Sequence, residues 1–107
     1  MRLYFKNQSE YDDWYSWERM WYRYPVVIDG DLAKLEMNIE DCKTAEEAMQ
    51  AFCDAFKGMS KETDLIIDEM MDHCQRGILA HEERGRYWEI ADYEDGSWYI
   101  FIRYRKE

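Results

Sequence analysis

The closing stretch of the chain, RYWEIADYEDGSWYIFIRYRKE, constrains the fold more than any other segment. Asp95-Gly96 divides it into two runs, and an Asp-Gly pair adopts the backbone conformations that a tight hairpin turn requires. In the second run Trp98, Ile100 and Ile102 fall on one face, and Tyr99, Phe101 and Arg103 on the other. A strand this apolar on both faces invites aggregation at a sheet edge, so it is expected inside the sheet.

The other segments supply partners for that strand. Leu3 and Phe5 alternate with Arg2, Tyr4 and Lys6, which predicts a short opening strand. Ser9, three residues before Asp12, reads as the cap of a helix running to about Tyr22, and Pro25 closes it by disfavouring helical geometry at Tyr24. The segment PVVIDGDLAKLEMNIE reads as a hairpin about Asp29-Gly30, with Leu35, Met37 and Ile39 alternating with Lys34, Glu36, Asn38 and Glu40. Thr44 and Glu47 form a capping box, and Ala45, Ala48, Met49, Phe52 and Phe56 recur at helical spacing up to Gly58. Ser60 opens a third helix with Leu65, Ile66, Met70, His73 and Cys74 on one face. Its end is open between Gly77 and Gly85, because the apolar period runs on through Ile78 and His81 at a cost of about 1 kcal/mol for the interior glycine. The expected order is β-α-β-β-α-α-β-β. Hairpins in place of regular βαβ alternation predict an α+β domain over residues 1–107, a small, mainly antiparallel sheet of about five strands covered by three helices.

A chain of 107 residues suits one domain, and 47% hydrophobic with 17% aromatic residues is too rich in bulky side chains for a disordered acidic tail. The start, MRLYFKNQSEYDD, has no apolar stretch suited to a signal peptide, and no apolar run is long enough to span a bilayer. Cys42, Cys53 and Cys74 are an odd, widely spaced set that argues against a disulfide framework. Together these features predict a cytoplasmic protein.

Charge is distributed unevenly. Thirteen acids lie between Asp29 and Asp72 against Lys34, Lys43, Lys57 and Lys61, a regional charge of 4 − 13 = −9 out of a total of −10. Such a field attracts basic surfaces and repels nucleic acid and anionic membrane, so neither of the latter two is an expected partner. Asp64, Asp68 and Asp72 stand at i, i+4 and i+8 of the third helix, a row with steps of about 6 Å, and all three are expected to be exposed. Glu46, Glu47 and Asp54 add to it from the second helix, and Asp29, Asp31, Glu36 and Glu40 from the hairpin. Like charges at that spacing weaken a helix by a few tenths of a kcal/mol per pair. A carboxylate row on a rigid support can occupy the Lys/Arg groove that a nucleic-acid enzyme keeps for phosphates. The competing explanation is a solvated acidic surface that maintains solubility.

The first helix carries Trp14, Trp17, Trp21 and Tyr24 in one stripe beside Met20, expected to cover the sheet, and Tyr11, Tyr15 and Tyr22 on a second face suited to partner contact or self-association. Metal binding is not expected. His73, Cys74 and His81, with Cys42 and Cys53 upstream, lack ligand spacing, and adjacent helical residues point about 100° apart. Ser9, Ser16, Ser60 and Ser97 lack a glycine-framed elbow, Gly30, Gly58, Gly77, Gly85 and Gly96 are isolated, and no apolar pocket marks Glu82 with Glu83 or Asp68 with Asp72 for acid/base work. The chain is therefore read as a non-enzyme without a cofactor.

In size, charge and absence of catalytic motifs it is similar to the small acidic inhibitors that phages direct against restriction and CRISPR effectors, an analogy of class without a shared motif. The expected function is a nucleic-acid mimic that binds a basic nucleic-acid-binding enzyme or effector. One alternative is an immunity or antitoxin protein that neutralises a basic nuclease toxin. Another is a small homo-oligomeric, or ligand- or partner-binding, domain that uses its aromatic surface, with a homodimer as one form.

Overall fold

A computed structural model describes residues 2–18 and 24–106, with side chains over 2–15 and 24–106. At its centre are the two strands that the sequence makes most apolar, β3 (Leu32–Ile39) and β6 (Trp98–Arg105), paired antiparallel from Leu32↔Arg105 to Ile39↔Trp98. β2 (Val26–Asp29) and β1 (Leu3–Phe5) lie beyond β3, and β5 (Arg86–Asp92) and β4 (Ala80–Glu83) lie beyond β6, in the order β1-β2-β3-β6-β5-β4. All neighbours are antiparallel except β1 and β2, which run parallel with α1 (Gln8–Glu18) as the intervening helix. The result is a mixed six-stranded sheet of α+β class. No helix among the described residues is long and apolar enough to cross a membrane.

The register aligns Val27, Leu35, Ile102 and Trp88 across four strands, with Met37, Ile100 and Ile90 in the next row. α2 (Ala45–Phe56) and α3 (Lys61–Gln75) cover this face, with Ala48, Met49, Phe52, Phe56, Ile66, Ile67, Met70 and Cys74 in one buried cluster with the sheet. Burying an aromatic or aliphatic side chain contributes roughly 1.5–3 kcal/mol, so this layer dominates the stability.

Both helices start where the sequence predicts. Thr44 accepts the Glu47 N–H at 3.2 Å, while Glu47 accepts from the Lys43 N–H at 3.3 Å. Ser60 accepts the Thr63 N–H at 3.1 Å.

α3 stops at Gln75, which closes the open question of its length. Gly77 takes a left-handed φ of 79°, its N–H meets the Cys74 carbonyl at 3.0 Å, and the Ile78 N–H turns back to the His73 carbonyl at 2.9 Å. Residues 80–83 then form β4, a sixth strand beyond the five expected. The AHEE sequence has weak strand propensity and sits at an exposed edge, so the pairing comes from the turn that follows. Arg84 and Gly85 both have positive φ, 50° and 79°, as a two-residue type I′ hairpin turn requires.

α1 lies on the opposite face of the sheet. Val26 and Ile28, which alternate with Val27, pack there with Tyr11, Leu3, Phe5 and Trp14 in a second cluster. Two expectations change. Asn7 caps α1, with its side chain accepting the Glu10 N–H at 2.9 Å, and Ser9 lies inside the helix. Tyr11, expected on the partner-facing side, is only 7% exposed and meets Phe5 edge-on at 5.4 Å, while Tyr24 of the expected core stripe is exposed. The earlier cap and the crossing over β1 and β2 rotate the helix so that Tyr11 and Trp14 face inward. Trp17, Met20, Trp21 and Tyr22 lie outside the described side chains, as does the expected end of the helix near Tyr22.

Phe52→Ala, which empties the space between α2 and the central strands, is expected to cost about 3–5 kcal/mol. Urea unfolding followed by tryptophan fluorescence reads this as a lower midpoint at unchanged m-value.

Candidate binding surfaces

The α2–α3 hairpin places most of the predicted acids on one outward layer. Glu46, Glu47, Asp54, Asp68 and Asp72 are exposed there. Over residues 45–75 eight acids stand against Lys57 and Lys61, a net charge of 2 − 8 = −6. The field converges at the helix joint. Burial first, then the charge of Asp54, with Asp68 and Asp64 contributing, pushes the Cys53 thiol above its ordinary value. Burial, then Glu46, does the same for Cys74.

Local bonds compensate only part of this charge. Asp72 pairs with Arg76 at 2.9 Å, but both side chains are more than half exposed, and a surface pair of this kind contributes about 0–1 kcal/mol. Gln50 donates to Asp54 at 3.0 Å. Asp64 departs from the expected exposed row. It is half-buried and accepts the Gly58 N–H at 2.9 Å, satisfying a backbone donor in the turn between the two helices.

The hairpin acids do not extend this layer. Asp29 and Asp31 are exposed at the β2–β3 turn, where Asp29 pairs with Lys106 and the Asp31 carbonyl accepts the Lys106 N–H at 3.1 Å. Glu40 lies past the other end of β3, an eight-residue strand roughly 26 Å long at about 3.3 Å per residue.

Glu36 is the largest departure. Strand alternation placed it on a solvent face, yet it is 3% exposed, because α1 covers that side of β2 and β3. The Tyr99 hydroxyl donates to Oε2 at 2.5 Å, and Oε1 has no hydrogen-bond partner among the described residues. The carboxylate lines a cleft of about 360 Å³ with Tyr11 and Tyr15 of α1, Tyr93 of the β5–β6 turn and Tyr99 of β6. Lys34 and Asn38, the neighbours of Glu36 along the same strand face, complete the lining. The Lys34 ammonium lies 5.2 Å from the Phe101 ring centre and 6.0 Å from that of Tyr99. Tyr11 and Tyr15, two of the three tyrosines expected as an aromatic contact, are thus brought together with a carboxylate, their rings 5.6 Å apart.

Sequence spacing had no means of finding Tyr93, Tyr99, Lys34 and Asn38 as cleft residues. Their convergence depends on where α1 crosses the sheet. The burial of Glu36 has the same origin, and only its position inside an apolar alternation hinted at it.

One group among the described residues has donor atoms arranged as metal ligands would be. Glu69, His81 and Glu83 offer atoms within 4.8 Å of one another, spread over α3 and the edge strand, where spacing rules do not reach. The group is also satisfied by its own contacts. His81 Nε2 meets Glu83 at 3.4 Å, and the Trp88 indole donates to Glu69 at 3.2 Å.

Asp64→Ala is expected to lower stability by about 1 kcal/mol through the orphaned Gly58 N–H, whereas Asp68→Ala leaves it unchanged or slightly raised. Chemical denaturation of the two variants side by side separates the structural acid from the displayed one.

A second expectation concerns alkaline pH. Burial first, then the Glu36 charge and a hydrogen bond to that carboxylate, raises the Tyr11 phenol above its ordinary 10.0. A hydrogen bond to Glu89 first, then burial, raises Tyr87. A raised folded value favours the neutral phenol in the fold, so stability is intact below pH 10.0 and falls as pH climbs above it. Thermal unfolding across that range should show the decline, and Tyr11→Phe should reduce it.

Comparison with protein-family models, with curated proteins and with solved structures finds no match for this chain.

Proposed function

We propose that the chain is a non-enzymatic binding protein that presents the carboxylate layer of α2 and α3 to the basic nucleic-acid-binding surface of a partner enzyme or effector. It is a nucleic-acid mimic of the anti-restriction or anti-CRISPR type that phages use. The observation that carries this reading is the exposure of Glu46, Glu47, Asp54, Asp68 and Asp72 on two adjacent helices with few cations near them. The helices are fixed by caps at both starts and by the buried face beneath. The charges are therefore held in place before a partner arrives, which reduces the ordering cost of binding. Compared with the ten acids read from sequence, the docking surface narrows. Asp64 supports the turn, Glu36 is buried, and Asp29 and Asp31 lie at the hairpin turn. An immunity protein directed at a basic nuclease toxin would use the same surface and differ only in its partner.

A second reading, a ligand-binding or self-associating domain that uses the aromatic surface of α1, is favoured by one specific observation. The buried Glu36 carboxylate lines the cleft beside Tyr11 and Tyr15, and its Oε1 has no hydrogen-bond partner among the described residues. The two readings use opposite faces of the sheet.

The salt dependence of complex formation with a basic nucleic-acid enzyme tests the first reading. The complex should compete with the enzyme's DNA or RNA and weaken at least about 10-fold from about 50 to about 200 mM salt. The triple variant Asp54→Lys, Asp68→Lys, Asp72→Lys should fold and lose about 100-fold or more in affinity, since all three side chains are exposed and their surface bonds contribute little to stability. Binding that ignores both salt and charge reversal refutes the mimicry. Light scattering of wild type and Tyr15→Ala tests self-association through α1.

A further inference from the structure

We infer that the cleft between α1 and strands β3 and β6 binds a small molecule through a primary ammonium group, with Glu36 Oε1 as the acceptor. The inference rests on the aromatic-surface reading and gives it a ligand; it is independent of the acidic helix layer.

The starting observation is an incomplete carboxylate. Glu36 is 3% exposed, Tyr99 occupies Oε2, and Oε1 is left without a donor among the described residues. Buried polar atoms are nearly always paired, and an unpaired carboxylate oxygen is among the least favourable exceptions. Oε1 is itself buried, but its residue lines a cleft of about 360 Å³, large enough for a molecule of amino-acid size. The Tyr11 phenol lies against the same carboxylate, and a donor entering through the cleft would supply the partner that Oε1 lacks among the described residues.

The surroundings specify its chemistry. A carboxylate is an acceptor only, and a cationic donor satisfies its hydrogen bond and its charge together. Tyr11, Tyr15, Tyr93 and Tyr99 line the cleft, and phenol faces attract cations. The Asn38 side chain, on the same wall, can accept a second N–H. A guanidinium prefers to engage both oxygens of a carboxylate, and here Oε2 is already bonded to Tyr99. A quaternary ammonium has no N–H to offer Oε1. A calcium ion needs six to eight oxygen ligands, and Glu36 is the only carboxylate among the described residues that line the cleft. A primary ammonium fits each constraint.

Lys34 sharpens the selection. The Lys34 ammonium, on the cleft wall, rests over Phe101 and Tyr99 and does not hydrogen-bond to Oε1. It places a positive charge at the cleft wall beside the negative one. A ligand carrying a carboxylate near its ammonium can meet both charges, whereas a plain amine meets one.

Amide NMR spectra of the full chain, titrated at constant ionic strength with n-propylammonium, glycine, tetramethylammonium and guanidinium, test the site. Saturable shifts at Glu36, Asn38, Tyr93 and Tyr99 are expected with n-propylammonium at about millimolar affinity, the range open to a ligand of so few atoms. Tetramethylammonium and guanidinium should leave these signals in place. Tighter binding of glycine identifies Lys34 as a carboxylate contact, and equal or weaker binding identifies a simple amine ligand; both support the ammonium site. Glu36→Gln should keep the folded spectrum and weaken n-propylammonium at least 10-fold. Tyr93→Ala removes a ring that is 51% exposed, so the fold does not depend on it, and should weaken binding about 3-fold. If Glu36→Gln fails to fold, Tyr93→Ala alone decides. Equal shifts with tetramethylammonium, affinity unchanged in the variants, or no saturable response to either ammonium probe would overturn the inference.

Discussion

β3 and β6 pair over their full length, and the positions of the other elements follow from that register. The pairing aligns Leu35 with Ile102 and Met37 with Ile100, so one face of the sheet centre is entirely apolar. A slip by one residue would turn these side chains to the other face and put Glu36, Asn38, Tyr99 and Phe101 beneath the helices. α2 contacts β3, β6 and β5, and α3 packs against α2, so the acidic layer stands where it does because the apolar face lies below it. The fold and the charge are two sides of the same helix pair, with Phe52 and Ile66 inward and Asp54 and Asp68 outward.

The same register gives the other face its mixed character. Val26, Glu36 and Phe101 lie side by side on adjacent strands there, and α1 covers the face from β1 to β3. Beyond Glu36 the face continues as half-buried rings, with Tyr87, Phe101 and Tyr99 in succession at 5.5 and 5.4 Å and Arg103 over Tyr87. Glu36 is at the boundary between the covered and open parts. A carboxylate at that boundary is removed from bulk water by the helix yet still borders a cleft.

Local chemistry made much of the fold legible. The capping pairs Thr44–Glu47 and Ser60–Thr63, the two Asp-Gly turns and the doubly apolar last strand each depend on residues a few positions apart, and each is found. Features set by long-range placement were not legible. The AHEE strand forms because Arg84 and Gly85 turn it onto β5, overriding a helical apolar period that ran through Ile78 and His81. Tyr11 and Glu36 are buried because α1, started by Asn7 and not Ser9, crosses β2 at one angle that no periodicity encodes. Asp64 carried the same letter and spacing as Asp68 and Asp72, yet the nearby Gly58 N–H made it structural. The acids of the candidate site were therefore visible as a composition and as a helical row, but their division into displayed, capping and buried members required the tertiary structure.

Central to this account is the claim that the acidic layer is only partly compensated in the free protein and held in place by the apolar face beneath it. The dependence of the thermal midpoint on sodium chloride tests it most directly, because added salt screens repulsion and attraction alike and reports which prevails. The midpoint should rise steadily from low ionic strength to about 0.5 M, as screening relieves repulsion among Glu46, Glu47, Asp54, Asp68 and Asp72. A flat or falling midpoint would mean that pairs such as Asp72–Arg76 and Asp29–Lys106 already balance the charge, and would contradict the account.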